Sequence, residues 1–332
     1  MKDSKIPGYR HLPVLLKEAI DLLNPQPGEN FIDATLGGGG YTKAILERNQ
    51  PDGKVLAIDL DEEAIKNFKY QITDVKNQKP SPLIPLPMGE GRVRVVHGNF
   101  ADVDKIVEQH KFFNISGVVA DLGLSSNELE QSGRGFSFQR KELLDMRFDQ
   151  QGTGVDARFI LNTYEQKRLE KIFKEYGEEK YAARMARKIQ ETRTKSQIKY
   201  TTDLYQIIVS SLPKPIRHKA DDSARRIFQA LRIAVNHELE NLEEFLPKAF
   251  DLLSFGGRLA VVSFHSLEDR MVKQYFNQLS KGCVCPPEFP ICQCGRSPKA
   301  KLLVRKPVTA SDSELQANPR SKPAKLRAVI KI

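Results

Sequence analysis

Four short apolar runs set what this chain can fold into: NFIDATL at 30–36, KVLAIDL at 54–60, RVRVVHG at 92–98 and GVVADLG at 117–123. Each is rich in β-branched residues and nearly continuous in hydrophobicity, the pattern of a strand covered on both faces of a parallel sheet. Helical stretches stand among them, YTKAILERN at 41–49 and DEEAIKNFKYQI at 61–72. Parallel neighbours need a crossover, and a helix is the usual one. The alternation therefore predicts an α/β fold with a doubly wound, mostly parallel sheet. The proline-rich KPSPLIPLPMGEG (79–91) reads as a surface loop before the third strand.

The rhythm changes after Gly123. From about 132 to 225 no buried-strand pattern is visible, and YEQKRLEKIFKEYGEEKYAARMARKIQETR and TTDLYQIIVSSL read as helices. A helical insertion is expected at 132–224, between two parts of one α/β domain at 1–131 and 225–332. The second part opens with a long helix over 225–253, carrying Ile227, Leu231, Ala234, Leu239, Leu242 and Leu246 at helical spacing and closed by the glycines of SFGG. RLAVVSFHS (258–266) follows as a buried strand, and KLLVRK (301–306) and KLRAVIKI (325–332) are left to close the sheet.

At 332 residues the chain is long for one domain, which agrees with an insertion. No apolar run approaches the roughly 20 residues that span a bilayer, and the first residues lack the apolar core of a signal peptide. The expectation is a cytoplasmic protein without a membrane partner, its four cysteines reduced. The net charge of +10 is unevenly spread. From Arg296 to Ile332 there are ten Lys/Arg against two Asp/Glu, and from Tyr164 to Tyr200 eleven against six. Localised basic excess points toward a polyanion.

The chemistry concentrates where the predicted strands end. Asp33 closes the first strand and the run Gly37–Gly40 follows, with Gly37 and Gly39 in a G-x-G spacing. A dinucleotide fingerprint starting at Gly37 needs Gly or Ala where Thr42 stands, and no Gly-Lys-Ser/Thr makes a phosphate loop. Glycines there suggest something approaching the backbone too closely for a Cβ. An acidic residue followed by G-x-G suits a nucleoside without a pyrophosphate, such as S-adenosylmethionine. Asp59 ends the second strand, where doubly wound folds place a carboxylate for ribose hydroxyls, while Asp61 is free to cap the following helix. Phe100 in HGNF is placed to sandwich an adenine. Asp121 and the GLSS turn end the fourth strand, facing the glycines across the crevice. For transfer to an amine, Asp121, Ser125 and Ser126 are the candidate hydrogen acceptors. His265 in SFHS lines the same crevice as a substrate or proton-relay candidate.

Nucleic-acid contacts are expected from Phe136 and Phe138 in GRGFSF, by stacking on an unstacked base. Arg134, Arg225, Arg226, Arg232 and Asn236 are candidates for phosphate contacts. Cys283, Cys285, Cys292 and Cys294 form a C-x-C…C-x-C array compatible with a structural zinc or with plain thiols. A nicotinamide-dependent oxidoreductase, a non-catalytic RNA-binding module and a DNA methyltransferase remain rival readings of these residues alone.

Taken in order, HLPVLLKEAI, FIDATLGGGGYT, AIDLDEEAI, HGNF, DLGLSSNELE, GRGFSF, LLDMRFD, RRIFQALRIAVNHEL, GGRLAVVSFHSLEDR and KPAKLRA resemble the RsmH (MraW) family. These are S-adenosylmethionine-dependent methyltransferases of a decoding-centre cytidine N4 in 16S ribosomal RNA. The resemblance spans nearly the whole chain. It implies a class I methyltransferase sheet, Rossmann-like, with a helical insertion after the fourth strand. It implies 16S rRNA in the small ribosomal subunit as partner and leaves monomer or homodimer open. Matched motif by motif, it implies cofactor contacts at Gly39, Gly40, Tyr41, Asp59, Phe100, Asp121 and Glu128. The family usually carries His where this chain has Tyr41, and Gln where it has Glu128.

Overall fold

The computed structural model describes residues 13–73, 91–123, 133–282, 285 and 293–332. They divide into two compact units, Met1–Gly123 with Asn241–Ile332, and Leu124–Glu240.

The first unit is built on a seven-stranded sheet of order β3-β2-β1-β4-β5-β7-β6. The strands are β1 (Asn30–Asp33), β2 (Val55–Asp59), β3 (Val93–His97), β4 (Ile115–Asp121), β5 (Leu253–Ser263), β6 (Ala300–Leu302) and β7 (Lys325–Lys331). The first five are parallel, and β7 runs antiparallel between β5 and β6. This is the doubly wound sheet the apolar runs predict.

The period-two geometry of a strand sends alternate residues to opposite faces. Ile32, Leu56, Ile58, Val118, Ala120, Leu259 and Val261 share a core with Phe245, Leu246, Phe250, Val272 and Phe276. Phe31, Val55, Val119, Ala260 and Val262 pack on the other side with Leu15, Ile20, Tyr41, Ile45 and Leu46. Both faces are covered, so the central strands β1, β2 and β4 had to be apolar along nearly their whole length. Burying each large aliphatic or aromatic side chain contributes about 1.5–3 kcal/mol.

Helices α1 (Leu16–Leu23), α2 (Gly40–Arg48), α3 (Glu62–Thr73) and α4 (Val103–Gln109) belong to the first half of this unit. The second unit holds α5 (Ala157–Thr163), α6 (Gln166–Glu175), α7 (Ala182–Arg193), α8 (Thr201–Ser211) and α9 (Ala220–Asn236). It has its own core, in which Leu169, Phe173, Met185, Ile189, Leu204 and Ile208 meet Ile227, Phe228, Leu231 and Val235. This unit is longer at both ends than the insertion expected at 132–224. Residues 225–236 belong to it because α9 buries its apolar stripe there.

The single helix expected over 225–253 is two helices. His237 takes the left-handed conformation (φ 53°) and its N–H bonds back to the Ile233 carbonyl, which ends α9; α10 (Glu238–Leu252) starts directly after. The glycines of SFGG do not cap α10. Gly256 (φ 78°) and Gly257 lie inside β5, at the register shift opposite Ile115 and Gly117. Helices α11 (Ser266–Ser280) and α12 (Asp312–Ala317) complete the described chain. No helix is long and apolar enough to cross a membrane among the described residues.

Candidate active site at the crest of the sheet

In the strand order, β1 lies between β2 and β4, so the chain winds away in both directions from the β1/β4 boundary. Ligands of such sheets bind beyond the carboxyl ends of the strands at that point. Asp33, Asp59 and Asp121 are the last residues of β1, β2 and β4. Hydrogen bonds knit the three ends together. Thr35 N–H donates to Asp33 Oδ1 (3.3 Å), and Asp121 N–H donates to Thr35 Oγ1 (2.6 Å). Gly37 N–H donates to Asp59 Oδ2 (2.7 Å) and Asp61 N–H to Asp59 Oδ1 (2.8 Å). Asp61 in turn accepts from Glu63 N–H at the start of α3, so the capping role falls to it and not to Asp59.

Asp33 is fully buried and holds the start of α2, accepting from Thr42 N–H (3.1 Å) and Thr42 Oγ1–H (2.6 Å). Thr42 is the residue whose presence broke the dinucleotide fingerprint, and here it is the anchor of the glycine turn. Sequence reasoning saw it only as a mismatch; its place nine residues after a buried Asp was the available signal. The glycines owe their place first to protein neighbours. Gly37 and Gly39 adopt φ of 48° and 75°, and a Cβ on Gly39 would stand 2.2 Å from the Phe68 ring. On Gly40 it would stand 2.0 Å from Pro13.

Burial pushes the Asp33 carboxyl up to about 7, with Asp59 adding repulsion against the pull of its donors. Burial raises Asp59 to about 6 and Asp121 to about 7; Asp33 and Glu268 add repulsion at Asp121. Asp121 Oδ1 is shielded from solvent and has no hydrogen-bond partner among the described residues, while the Gly123 backbone N–H, bonded to the carboxyl, opposes the upward shift. Among the described residues no Lys or Arg pairs with any of the three. An ionised carboxylate offers about four acceptor positions, so Asp59 keeps capacity beyond its backbone donors at Gly37, Leu60 and Asp61. An orphaned acceptor, spare capacity and uncompensated negative charge fit a cationic, hydroxyl-bearing ligand, as S-adenosylmethionine is.

Other expected site residues take different roles. The Tyr41 side chain is buried in the core and donates to the Val14 carbonyl, so its hydroxyl is not presented to the crevice. Phe100 packs edge-on against Phe245 with ring centroids 5.1 Å apart. His265 caps α11: its Nδ1 accepts from Glu268 N–H (3.4 Å). Its Nε2 stands 3.0 Å from Glu268 Oε1, at an angle that makes no hydrogen bond. The buried Glu268 also accepts from Phe264 N–H (2.8 Å) and His265 N–H (3.3 Å), which fixes the turn after β5. Sequence reasoning missed this residue, though a capping box three positions after His265 was legible. Ser125, Ser126, Glu128, Cys283 and Cys292 lie outside the described residues. Cys285 and Cys294 are half-buried.

In the helical unit the expected RNA contacts are, with one exception, spent within the unit. Phe136 is a core residue stacked on Phe148 (5.8 Å), and Phe138 stacks on Tyr205 (5.5 Å). Phe136 is buried in that core, whereas Phe138 is half-buried and also packs at a steep angle against Phe228. Buried Arg134 donates to the carbonyls of Arg147 (3.3 Å) and Phe148 (2.9 Å). Arg226 donates to buried Glu179 (2.8 Å), and Arg232 grips Glu238 through two bonds of 2.7 Å. Asn236 accepts from Phe148 N–H (2.8 Å) and donates to the Met146 carbonyl (2.7 Å). These side chains hold backbone and carboxylates, and Arg226 keeps 40% of its side chain exposed. Arg225 is exposed, beside the equally exposed Asp222. A groove of about 880 Å³ in this unit is lined by Lys141, Ser196, Gln197, Lys199, Tyr200 and Gln206 among others.

The model of the MraW methylase family matches residues 8–332. A relative from Geobacter sp. (strain M21), the ribosomal RNA small subunit methyltransferase H, is 44% identical over 324 residues, 98% of this chain and 99% of the relative. Proteins of the same name from Syntrophotalea carbinolica and Heliobacterium mobile are 43% and 41% identical. They cover 97% and 98% of this chain, and 98% and 99% of their own lengths.

Proposed function

The chain belongs to the MraW methylase family, and from that premise we propose that it transfers a methyl group from S-adenosylmethionine to a cytidine N4 of small-subunit ribosomal RNA. The name of its relatives supports the substrate class. The observation that carries the site is the solvent-shielded, unpartnered Oδ1 of Asp121 at the switch point.

S-adenosylmethionine, when bound, supplies a methyl group already activated on a sulfonium. The protein's task is to prepare the nucleophile. The lone pair of an exocyclic cytosine amine is delocalised into its ring, and a hydrogen-bond acceptor on the amine localises density on nitrogen. Asp121 Oδ1 is that acceptor, with the hydroxyls of Ser125 and Ser126 proposed beside it. Asp59 would accept hydrogen bonds from the ribose hydroxyls, Phe100 would border the adenine, and the backbone of Gly37–Tyr41 would hold the methionyl part. Asp33 sets the turn through Thr42. Holding amine and methyl in near-attack geometry supplies several kcal/mol of the barrier reduction.

For the RNA, the basic tail and the groove bearing Lys141 and Lys199 are the contact surfaces that keep their charge. The test is to incubate the full chain with isotope-labelled S-adenosylmethionine and small subunits lacking decoding-centre N4 methylation, then locate the product by mass spectrometry. The expected result is one labelled methyl on a cytidine N4, with Asp121→Ala slowing transfer by about 10²–10³. Label on another atom, or none, would overturn the reading.

A further inference from the structure

Three carboxylates end three neighbouring strands, and their surroundings are anionic or neutral. Asp33 from β1 and Glu268 from α11 repel negative charge on Asp121, Asp33 and Asp121 oppose ionisation of Tyr41 from α2, and the His265 ring stands at Glu268. Asp59 from β2 repels negative charge on Asp33. The donors that reach the group are backbone N–H groups and the Thr42 hydroxyl. Such a cluster resists full ionisation without a cation. Elsewhere in the same unit the rule is different: Asp269 is clamped by Arg327 (2.6 and 3.3 Å) and Lys325 (3.2 Å).

We propose that the Asp33–Asp59–Asp121 cluster discriminates the sulfonium cofactor from its neutral thioether product by exchanging protons for the cofactor's positive charge. This rests on the S-adenosylmethionine reading above. On binding, a carboxylic acid of the cluster ionises, its proton leaves to solvent, and the carboxylate faces the sulfonium. On transfer, the carbon–sulfur bond breaks with its electron pair staying on sulfur, and the carbon–nitrogen bond forms. The proton shed by the amine goes to the Asp121 carboxylate. A neutral product is left in a cluster that has recovered its proton, with no net attraction holding the two. Folded-state values of about 6 to 7 place the exchange near neutral pH.

The experiment is calorimetric titration of the full chain with S-adenosylmethionine and with S-adenosylhomocysteine. It runs between pH 5.5 and 7.0, in paired buffers of different ionisation enthalpy, below the range of about 7.7–8.0 where an α-amino group titrates. S-adenosylmethionine should release protons and bind roughly tenfold tighter per pH unit for each proton released. S-adenosylhomocysteine should release fewer and show a flatter profile. In Asp121→Asn the difference between the two ligands should shrink while S-adenosylhomocysteine binding persists. Equal proton release for both ligands, or a difference that survives in both Asp121→Asn and Asp33→Asn, overturns the proposal. Absence of binding by either ligand to the unsubstituted chain overturns the cofactor reading itself, and this inference with it.

Discussion

The crest of the sheet and the interior of the helical unit treat charge in opposite ways. At the crest, Asp33 is buried and Asp59 and Asp121 are half-buried, none has a Lys or Arg partner among the described residues, and one Asp121 oxygen has no hydrogen-bond partner there. In the helical unit, Arg226 and Arg232 are matched to Glu179 and Glu238, and Arg134 to two carbonyls. A buried charge that is paired has finished its work when the chain folds. One that is left unpaired is costly to the ligand-free fold, and it persists where a ligand will supply the missing partner. The contrast separates the proposed binding residues at the crest from arginines already engaged within the fold.

The same substitution should therefore have opposite signs at two aspartates of the sheet unit. Burial raises Asp269, but Arg327 and Lys325 outweigh it and hold its carboxyl below the ordinary range. Asp269→Asn leaves Arg327 without its charge partner and should destabilise by roughly 3 kcal/mol. Asp121→Asn removes an uncompensated charge and should raise the stability of the ligand-free protein at pH 8 by about 1–2 kcal/mol. Chemical denaturation of both variants checks the pair; a shared sign would break the contrast.

Arg226 and Arg225 are neighbours in sequence with opposite expected outcomes. Arg226→Ala strands the buried Glu179 carboxylate and should cost about 2–3 kcal/mol of stability. Arg225→Ala removes only an exposed pair and should change stability by less than about 0.5 kcal/mol. Thermal melts decide between them, and filter binding of small-subunit RNA should show Arg226→Ala losing no more affinity than Arg225→Ala.

A further effect is on pH dependence. Asp33 and Asp121 rise to about 7 in the folded state, against about 3.9 in the unfolded chain. The folded state binds the extra protons between those values, so stability falls as pH rises from about 4 through 7. Asp269 acts oppositely, and its contribution is lost only in acid. Between pH 6 and 8 the ligand-free protein should lose roughly 1 kcal/mol for each of the two raised groups, read as a lower Tm. A Tm that holds steady or climbs over that range would contradict the assignment.

The sheet was legible because central strands covered on both faces must be apolar, and β1, β2 and β4 each close on an aspartate that interrupts the run. That put Asp33, Asp59 and Asp121 on record from the sequence. The helical unit was less so. Glu179 and Arg226 are far apart in the chain, and nothing local tells a paired arginine from a solvated one. Phe136 carried no mark that Phe148 would cover it. The helix break at His237 was hidden because its residue neither lacks a Cβ nor lacks an N–H. The glycine turn was half legible: its need for close approach was correct, yet the approaching groups at Gly39 and Gly40 are Phe68 and Pro13. Tyr41 was placed by resemblance, and the core claimed its side chain.

The most direct test of the central claim is equilibrium binding of labelled S-adenosylmethionine to the unsubstituted chain, to Asp121→Asn and to Arg226→Gln, each first shown to be folded. If unpaired charge marks the binding site, Asp121→Asn binds about tenfold or more weakly and Arg226→Gln binds as the unsubstituted chain does. Undiminished affinity in Asp121→Asn, or a loss confined to Arg226→Gln, would contradict it.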